Sequence, residues 1–222
     1  MKRTTSILAA CFVLAASSLH STAAVVIDNL SLGSQSFSQT LSGPTATGFF
    51  INNPMPNREV AFTFTTAGIN VFLTELSFGV AIGKPILEPI RFTLSKGSSV
   101  PGGVDSMIIG EVTPPTTSPS SQILTLMPSM QVMLEANTQY WMQVTVPTGA
   151  AVYSFVNTNN QNLAPGWTLG NSWSQNPQSP WSELTSGPQA RIRMSVEAVP
   201  EPTAALLGSI GALLMLRRRR QA

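Results

Sequence analysis

The sequence predicts an all-β fold: a single β-sandwich of jelly-roll type, preceded by a secretory signal and followed by one short hydrophobic helix. Three observations carry this expectation. The middle of the chain is built from short β-branched and aromatic runs separated by Gly, Pro, Ser and Asn, the punctuation of strands and turns. Several of those runs alternate apolar with polar residues, the period of a half-buried strand. No stretch between the two ends sustains helical periodicity. At 222 residues the chain accommodates one ordinary domain plus short appendages, because single cores occupy roughly 100–200 residues.

The first element is the leader, residues 1–23. Lys2 and Arg3 precede an apolar run over 7–16, and small residues follow at Ser21, Thr22, Ala23 and Ala24, which is the order of a secretory signal. Cleavage after Ala23 places Ser21 and Ala23 at the two small-residue positions, and cleavage after Ala24 is nearly as good. As a helix the apolar run rises only about 15 Å, too little to span a bilayer. Leu8-Ala9-Ala10-Cys11 also fits a lipoprotein box, but the apolar run continues through 12–16 with no break at Cys11.

The β-domain is expected over 24–198. Glu59-Val60-Ala61-Phe62-Thr63-Phe64-Thr65 and Ile90-Arg91-Phe92-Thr93-Leu94-Ser95 alternate as half-buried strands should. Further strands are expected at 25–32, 48–51, 71–82, 107–112, 122–126, 130–134, 139–146, 152–156 and 190–196. About ten short strands with turn signals between them fit a sandwich. The Pro- and Ser-rich stretch over 114–121 reads as an exposed loop. Gly102-Gly103 lacks a following helix and Lys, so it reads as a turn and not a phosphate cradle.

The last element is the tail, residues 199–222. Val199-Pro200-Glu201-Pro202 is followed by an apolar run over 203–216, then by Arg217, Arg218, Arg219 and Arg220, with two residues remaining. As a helix that run spans about 21 Å against a hydrocarbon core of about 30 Å, enough for a brief stay in a membrane that thins or lets its flanks snorkel. The arginines are expected to stay cytoplasmic and to leave everything before Pro200 outside. Both ends therefore predict one topology, with the N-terminus outside and the C-terminus cytoplasmic.

This tail resembles the PEP-CTERM sorting signal of Gram-negative bacteria, with Pro200-Glu201-Pro202 as its name motif. The resemblance implies recognition by a membrane-embedded exosortase acting as protease or transpeptidase, cleavage near the motif, and release or attachment at the surface of an exopolysaccharide-producing cell.

Charge and composition restrict what the body does. The whole chain carries a formal charge of +2, but six of its cations lie in the two terminal segments. Between them the six cations Arg58, Lys84, Arg91, Lys96, Arg191 and Arg193 face nine acids, for a net charge of −3. The cations are scattered, so no concentrated positive field recruits nucleic acid. The only cysteine, Cys11, and the only histidine, His20, lie in the leader. A body without them has no thiol nucleophile, disulfide, Ser/His/Asp triad or His/Cys metal site. With only Asp28 and Asp105 as aspartates and no cluster of oxygen ligands, no calcium site is expected either, and no cofactor.

A glycosidase needs two carboxylates held roughly 5–10 Å apart. Glu75, Glu88, Glu111, Glu135 and Glu183 are available, but no spacing singles out a pair, and they read as solvated strand-edge and loop charges. The segment holding Trp167, Trp173 and Trp181 is different. It is poor in charge and rich in amides, with Asn157, Asn159, Asn160, Gln161, Asn162, Asn171, Gln175, Asn176 and Gln178. Indole faces stack on sugar C–H faces while amides hydrogen-bond hydroxyls, a mixture suited to a carbohydrate contact. The competing reading is that these tryptophans cover one end of the sandwich and the amides close turns. Tyr140 and Trp141, after a turn, read as core and rim.

Phe62-Thr63-Phe64-Thr65, the strand from Pro89 to Leu94, Leu134-Glu135-Ala136-Asn137-Thr138-Gln139-Tyr140-Trp141, Trp167 and Arg191-Ile192-Arg193 together resemble the landmarks of the choice-of-anchor R domain. That resemblance covers most of residues 28–197. It implies an extracellular β-sandwich on an exported bacterial protein and brings no catalytic residues.

The expectation is therefore a non-enzymatic surface or extracellular-matrix protein handled by the export translocon, a signal peptidase and an exosortase-like enzyme. A module recognising surface polysaccharide is the alternative, and an uncharacterised hydrolase the second.

Overall fold

The computed structural model describes residues 22–30, 37–46, 57–83, 86–97, 101, 105–116, 121–158, 161–176, 179–183 and 189–199. The chain divides into two units, Ala23–Glu197 and a second comprising Met1–Thr22 with Ala198–Ala222; the β-domain is the first. The described secondary structure is all β. In chain order the strands are β1 Ala24–Asp28, β2 Phe37–Ser42, β3 Glu59–Thr65, β4 Val71–Ile82, β5 Ile90–Lys96, β6 Met107–Val112 and β7 Gln122–Leu126. There follow β8 Val132–Leu134, β9 Gln139–Thr145, β10 Val152–Thr158, β11 Thr168–Asn176, β12 Ser179–Glu183, β13 Gln189–Ala190 and β14 Ile192–Ala198. Among the described residues no helix is long and apolar enough to cross a membrane; the hydrophobic run over 203–216 and the expected strand over 48–51 lie outside them.

The strands form two antiparallel sheets. One runs β12-β11-β3-β9-β5-β6. The other is organised by the long β4, whose one edge carries β7, with Leu76 opposite Leu126, and β8, with Val71 opposite Leu134. β10 pairs with β4 over Val80–Ile82 and carries β2 on its outer side, while β14 also pairs with β4 and carries β1. Arg191 sits where this sheet forks: its N–H donates to Val156 O at 3.0 Å and its C=O accepts from Gly79 N at 3.1 Å. Gly79 fits closely there: a Cβ would stand 3.3 Å from Val156 Cβ, so that neighbour would have to give by a few tenths of an ångström.

Alternation explains which face each sheet turns inward. Val60, Phe62 and Phe64 of β3, Tyr140, Met142 and Val144 of β9, and Ile90, Phe92 and Leu94 of β5 are all buried in one apolar cluster. β4 contributes Val71 and Leu73, then Leu76, Phe78, Val80 and Ile82. Its phase shifts by one residue at Thr74–Glu75, between the stretches that pair with β8 and β7. The two sheets meet ring to ring: Phe78 lies 4.5 Å from Phe92 and Phe62 lies 6.3 Å from Phe155, which stands 6.1 Å from Phe78 within its own sheet. Each buried ring contributes about 1.5–3 kcal/mol through area removed from water. A buried polar link crosses the same space, from Ser172 Oγ to Asn157 Oδ1 and from Asn157 Nδ2 to Gln39 Oε1, both at 3.2 Å. This satisfies the Ser172 hydroxyl and the Asn157 amide, groups costly to bury alone, while Gln39 Nε2 is left without a partner among the described residues.

Three strand expectations need correction. β2, β11 and β12 were not anticipated, and much of the segment whose amides the competing reading assigned to turns is strand. Pro114, expected in an exposed loop, is buried.

Candidate functional site

The outer face of the six-stranded sheet is where side chains with binding chemistry gather. Register places them in rows. Gln175, Glu59, Thr145, Arg91 and Glu111 stand opposite one another across β11, β3, β9, β5 and β6. One pleat along stand Glu183, Trp173, Ala61, Gln143 and Thr93, and one further pleat along stand Thr63, Trp141 and Ser95.

A shallow depression of about 380 Å³ lies over the last two rows, lined by Thr63, Gln139, Trp141, Gly170, Asn171, Trp173 and Glu183. Trp141 and Trp173 meet edge to face, with centroids 5.4 Å apart and planes at 85°, the arrangement favoured by the ring quadrupoles. Trp141 is only 2 % exposed and serves as the fixed support. Trp173 is half-buried and keeps part of its indole for the depression. Asn171 Nδ2 donates to Glu183 Oε1 at 2.6 Å, which holds an amide and a carboxylate side by side on the rim. β11 reaches this arrangement through a register shift between Leu169 and Ser172, which carries Asn171 to the rim. Gly170 lies within that shift, and a Cβ there would collide with Thr63 Oγ1.

A second depression, of about 450 Å³, is lined by Asn57, Glu59, Arg91, Thr145, Val146, Pro147 and Gln175. Gln143 Nε2 donates to Glu59 Oε2 at 2.6 Å. Burial pushes the Glu59 carboxyl above the usual carboxylate range, and the Gln143 bond partly opposes that rise. Arg91 Nε donates to Glu111 Oε1 at 2.7 Å, an exposed pair worth little to stability that nonetheless orients the guanidinium.

The structure separates the three tryptophans expected to make a carbohydrate contact. Trp173 lines the first depression. Trp167 is 7 % exposed, belongs to the apolar core and stacks near Phe64 at 6.4 Å. Trp181 lies half-buried on β12, outside the residues lining either depression. Of the amides, Asn171 and Gln175 line the depressions and Asn157 is buried between the sheets. Gln161 and Asn162 are exposed elsewhere, and Asn159, Asn160 and Gln178 lie outside the described residues.

Ala23 precedes β1 and Ala24 opens it, both exposed, while Val199 follows β14. Pro200, Glu201, Pro202, Arg217, Arg218, Arg219 and Arg220 lie outside the described residues. Among the described residues no group of three or more His, Cys, Asp or Glu stands ready to hold a metal.

Trp141, expected as a core or rim residue, is buried, but its place under the depression was not foreseen, and Glu59 was not singled out for the site. Trp141 was legible in retrospect. In Gln139-Trp141-Gln143-Thr145 it is the one apolar member of an otherwise polar alternate set, which marks an aromatic on an outward face. Glu59 gave no such signal, because its burial comes from neighbours supplied by β9 and β11.

The chain matches no protein-family model, and no curated protein matches it.

Proposed function

We propose that this is an exported, non-enzymatic surface or matrix protein whose β-domain, a jelly-roll-like sandwich, holds extracellular polysaccharide at the Trp141/Trp173 depression. The observation that carries the binding reading is this pair: a partly exposed indole set edge to face against a buried one, ringed by Asn171, Gln139, Thr63 and Glu183. An indole offers a flat apolar face to a sugar ring, and the amide, hydroxyl and carboxylate groups exchange hydrogen bonds with its hydroxyls.

The export part rests on the leader ending near Ala23 and on the tail's resemblance to PEP-CTERM signals, from Pro200-Glu201-Pro202 to Arg217–Arg220. The landmarks similar to choice-of-anchor R domains support the same destination. β1 and β14 are antiparallel neighbours, with Ala24 opposite Val196, so the body's two ends leave one side of a sheet, compatible with processing at both.

The test is retention of the exported protein on immobilised neutral and acidic polysaccharides. Native protein is expected to be retained on at least one, and Trp173→Ala to lose affinity about tenfold or more, as removal of a central aromatic anchor does. Equal, negligible retention of both forms defeats the binding reading and leaves a purely structural surface role.

A further inference from the structure

We propose, building on that reading, that the two depressions are one track, and that the ligand is an uncharged linear polysaccharide lying along the strands and not a single terminal sugar. Three features of the outer face carry this.

The first is alignment. The lining residues come from the same three strands: Thr63 and Trp141 stand at one end and Gln175, Glu59 and Thr145 at the other, with Trp173 on the row between, opposite Ala61. Thr63 and Glu59 are four residues apart on β3, as are Trp141 and Thr145 on β9. At the rise of an antiparallel strand, four residues span about 13 Å, more than one sugar ring covers. The residue between them on β3 is Ala61, opposite Trp173 and Gln143. Ala61 adds no large side chain there, and of the two that flank it Trp173 lines the first depression while Gln143 is bonded to Glu59 of the second.

The second is shape. Neither depression is a closed cavity; both are open on the sheet surface. A monosaccharide seated in such a place leaves most of its area in water, whereas tight small-molecule sites bury most of their ligand. A chain gains area by lying across both ends of the face, and each further ring adds contact to an intramolecular neighbour.

The third is the order of chemistry along the face. The indole of Trp173 supplies the stacking contact in one depression. In the other, Gln175 offers an amide, Thr145 a hydroxyl, and Glu59 the oxygen not engaged by Gln143. The carboxyl groups on the face outnumber its cations, since Glu183 and Glu59 line it while Arg91 is paired with Glu111. That balance repels an acidic polymer and suits hydroxyls.

The experiment is titration calorimetry of the exported protein with β-1,4-linked glucose oligomers, comparing the disaccharide with the hexasaccharide. Native protein is expected to bind the hexasaccharide about tenfold or more tightly, a gain of roughly 1.4 kcal/mol. Gln175→Ala, and independently Thr145→Arg placed to fill the second depression, are expected to bring the hexasaccharide down to disaccharide affinity while leaving the disaccharide unchanged. Thermal unfolding of each variant at the native midpoint verifies that the fold is intact. If Trp173→Ala weakens both oligomers but the two bind the native protein equally, or Gln175→Ala and Thr145→Arg change neither, the track is wrong and the Trp173 site stands. If Trp173→Ala changes neither oligomer, the site itself is wrong and the track falls with it.

Discussion

Replacing Phe78 with alanine probes the bond between the two sheets. Its ring is fully buried and touches Phe92 of the opposite sheet, with Phe155 beside it. Truncation removes the transfer free energy of the ring and leaves a cavity between two sheets whose other rings hold them apart, so collapse is limited. Phe→Ala changes at such sites lose about 3–5 kcal/mol. For a domain of this size each kcal/mol lowers the midpoint by about 2–4 °C, so a fall of roughly 6–20 °C follows. Urea unfolding gives the free energy directly, with the slope checked for two-state behaviour. Ile123→Ala is the control, because Ile123 is 56 % exposed on β7 and its loss should stay within about 0.5 kcal/mol. If Phe78→Ala loses no more than the Ile123→Ala control, within about 0.5 kcal/mol, the two sheets do not share a common core.

Two further outcomes concern the outer face. Glu59 has a folded-state carboxyl pushed above its unfolded value, chiefly by burial. The unfolded chain therefore releases this proton first, and stability falls as pH rises from near 4.5 through the higher folded value. Glu59→Gln should flatten that part of the stability-against-pH curve measured by urea unfolding, and an unchanged slope rules the burial argument out. Gly170→Ala drives a methyl group into Thr63 Oγ1 and should destabilise by about 1–3 kcal/mol. Adding Thr63→Ala should recover part of that loss, and strict additivity of the two changes would show that the clash is relieved elsewhere.

The parts of the fold that were legible share one property: their residues announce both period and type. The bounds of β3, β4, β6 and β7 agree with expectation because β-branched and aromatic residues run between clear turn residues. β2 reads Phe-Ser-Gln-Thr-Leu-Ser, and β11 is rich in Ser, Asn and Gln. Such residues have poor strand propensity, and they are strands here because β10 and β3 offer unpaired edges to them. That is a tertiary effect outside the reach of local patterning.

The site shows the same division. Of the tryptophans and amides expected to make a contact, Trp173, Asn171 and Gln175 line the two depressions. Which tryptophan faces solvent was not legible, since Trp167 precedes β11 and turns into the core while Trp173 stands on the outer face. The shift between Leu169 and Ser172 that helps decide this leaves no mark in composition.

The most direct measurement is an ¹H–¹⁵N spectrum of the protein, in which the four tryptophans give separate indole N–H signals. On titration with the β-1,4-linked glucose hexasaccharide, the signals of Trp173 and its edge-to-face neighbour Trp141 should move together while that of core-buried Trp167 stays in place. Movement of Trp167 or Trp181 with Trp173 unmoved, or no movement of any indole signal with any polysaccharide fragment, would contradict the assignment of the site to this face.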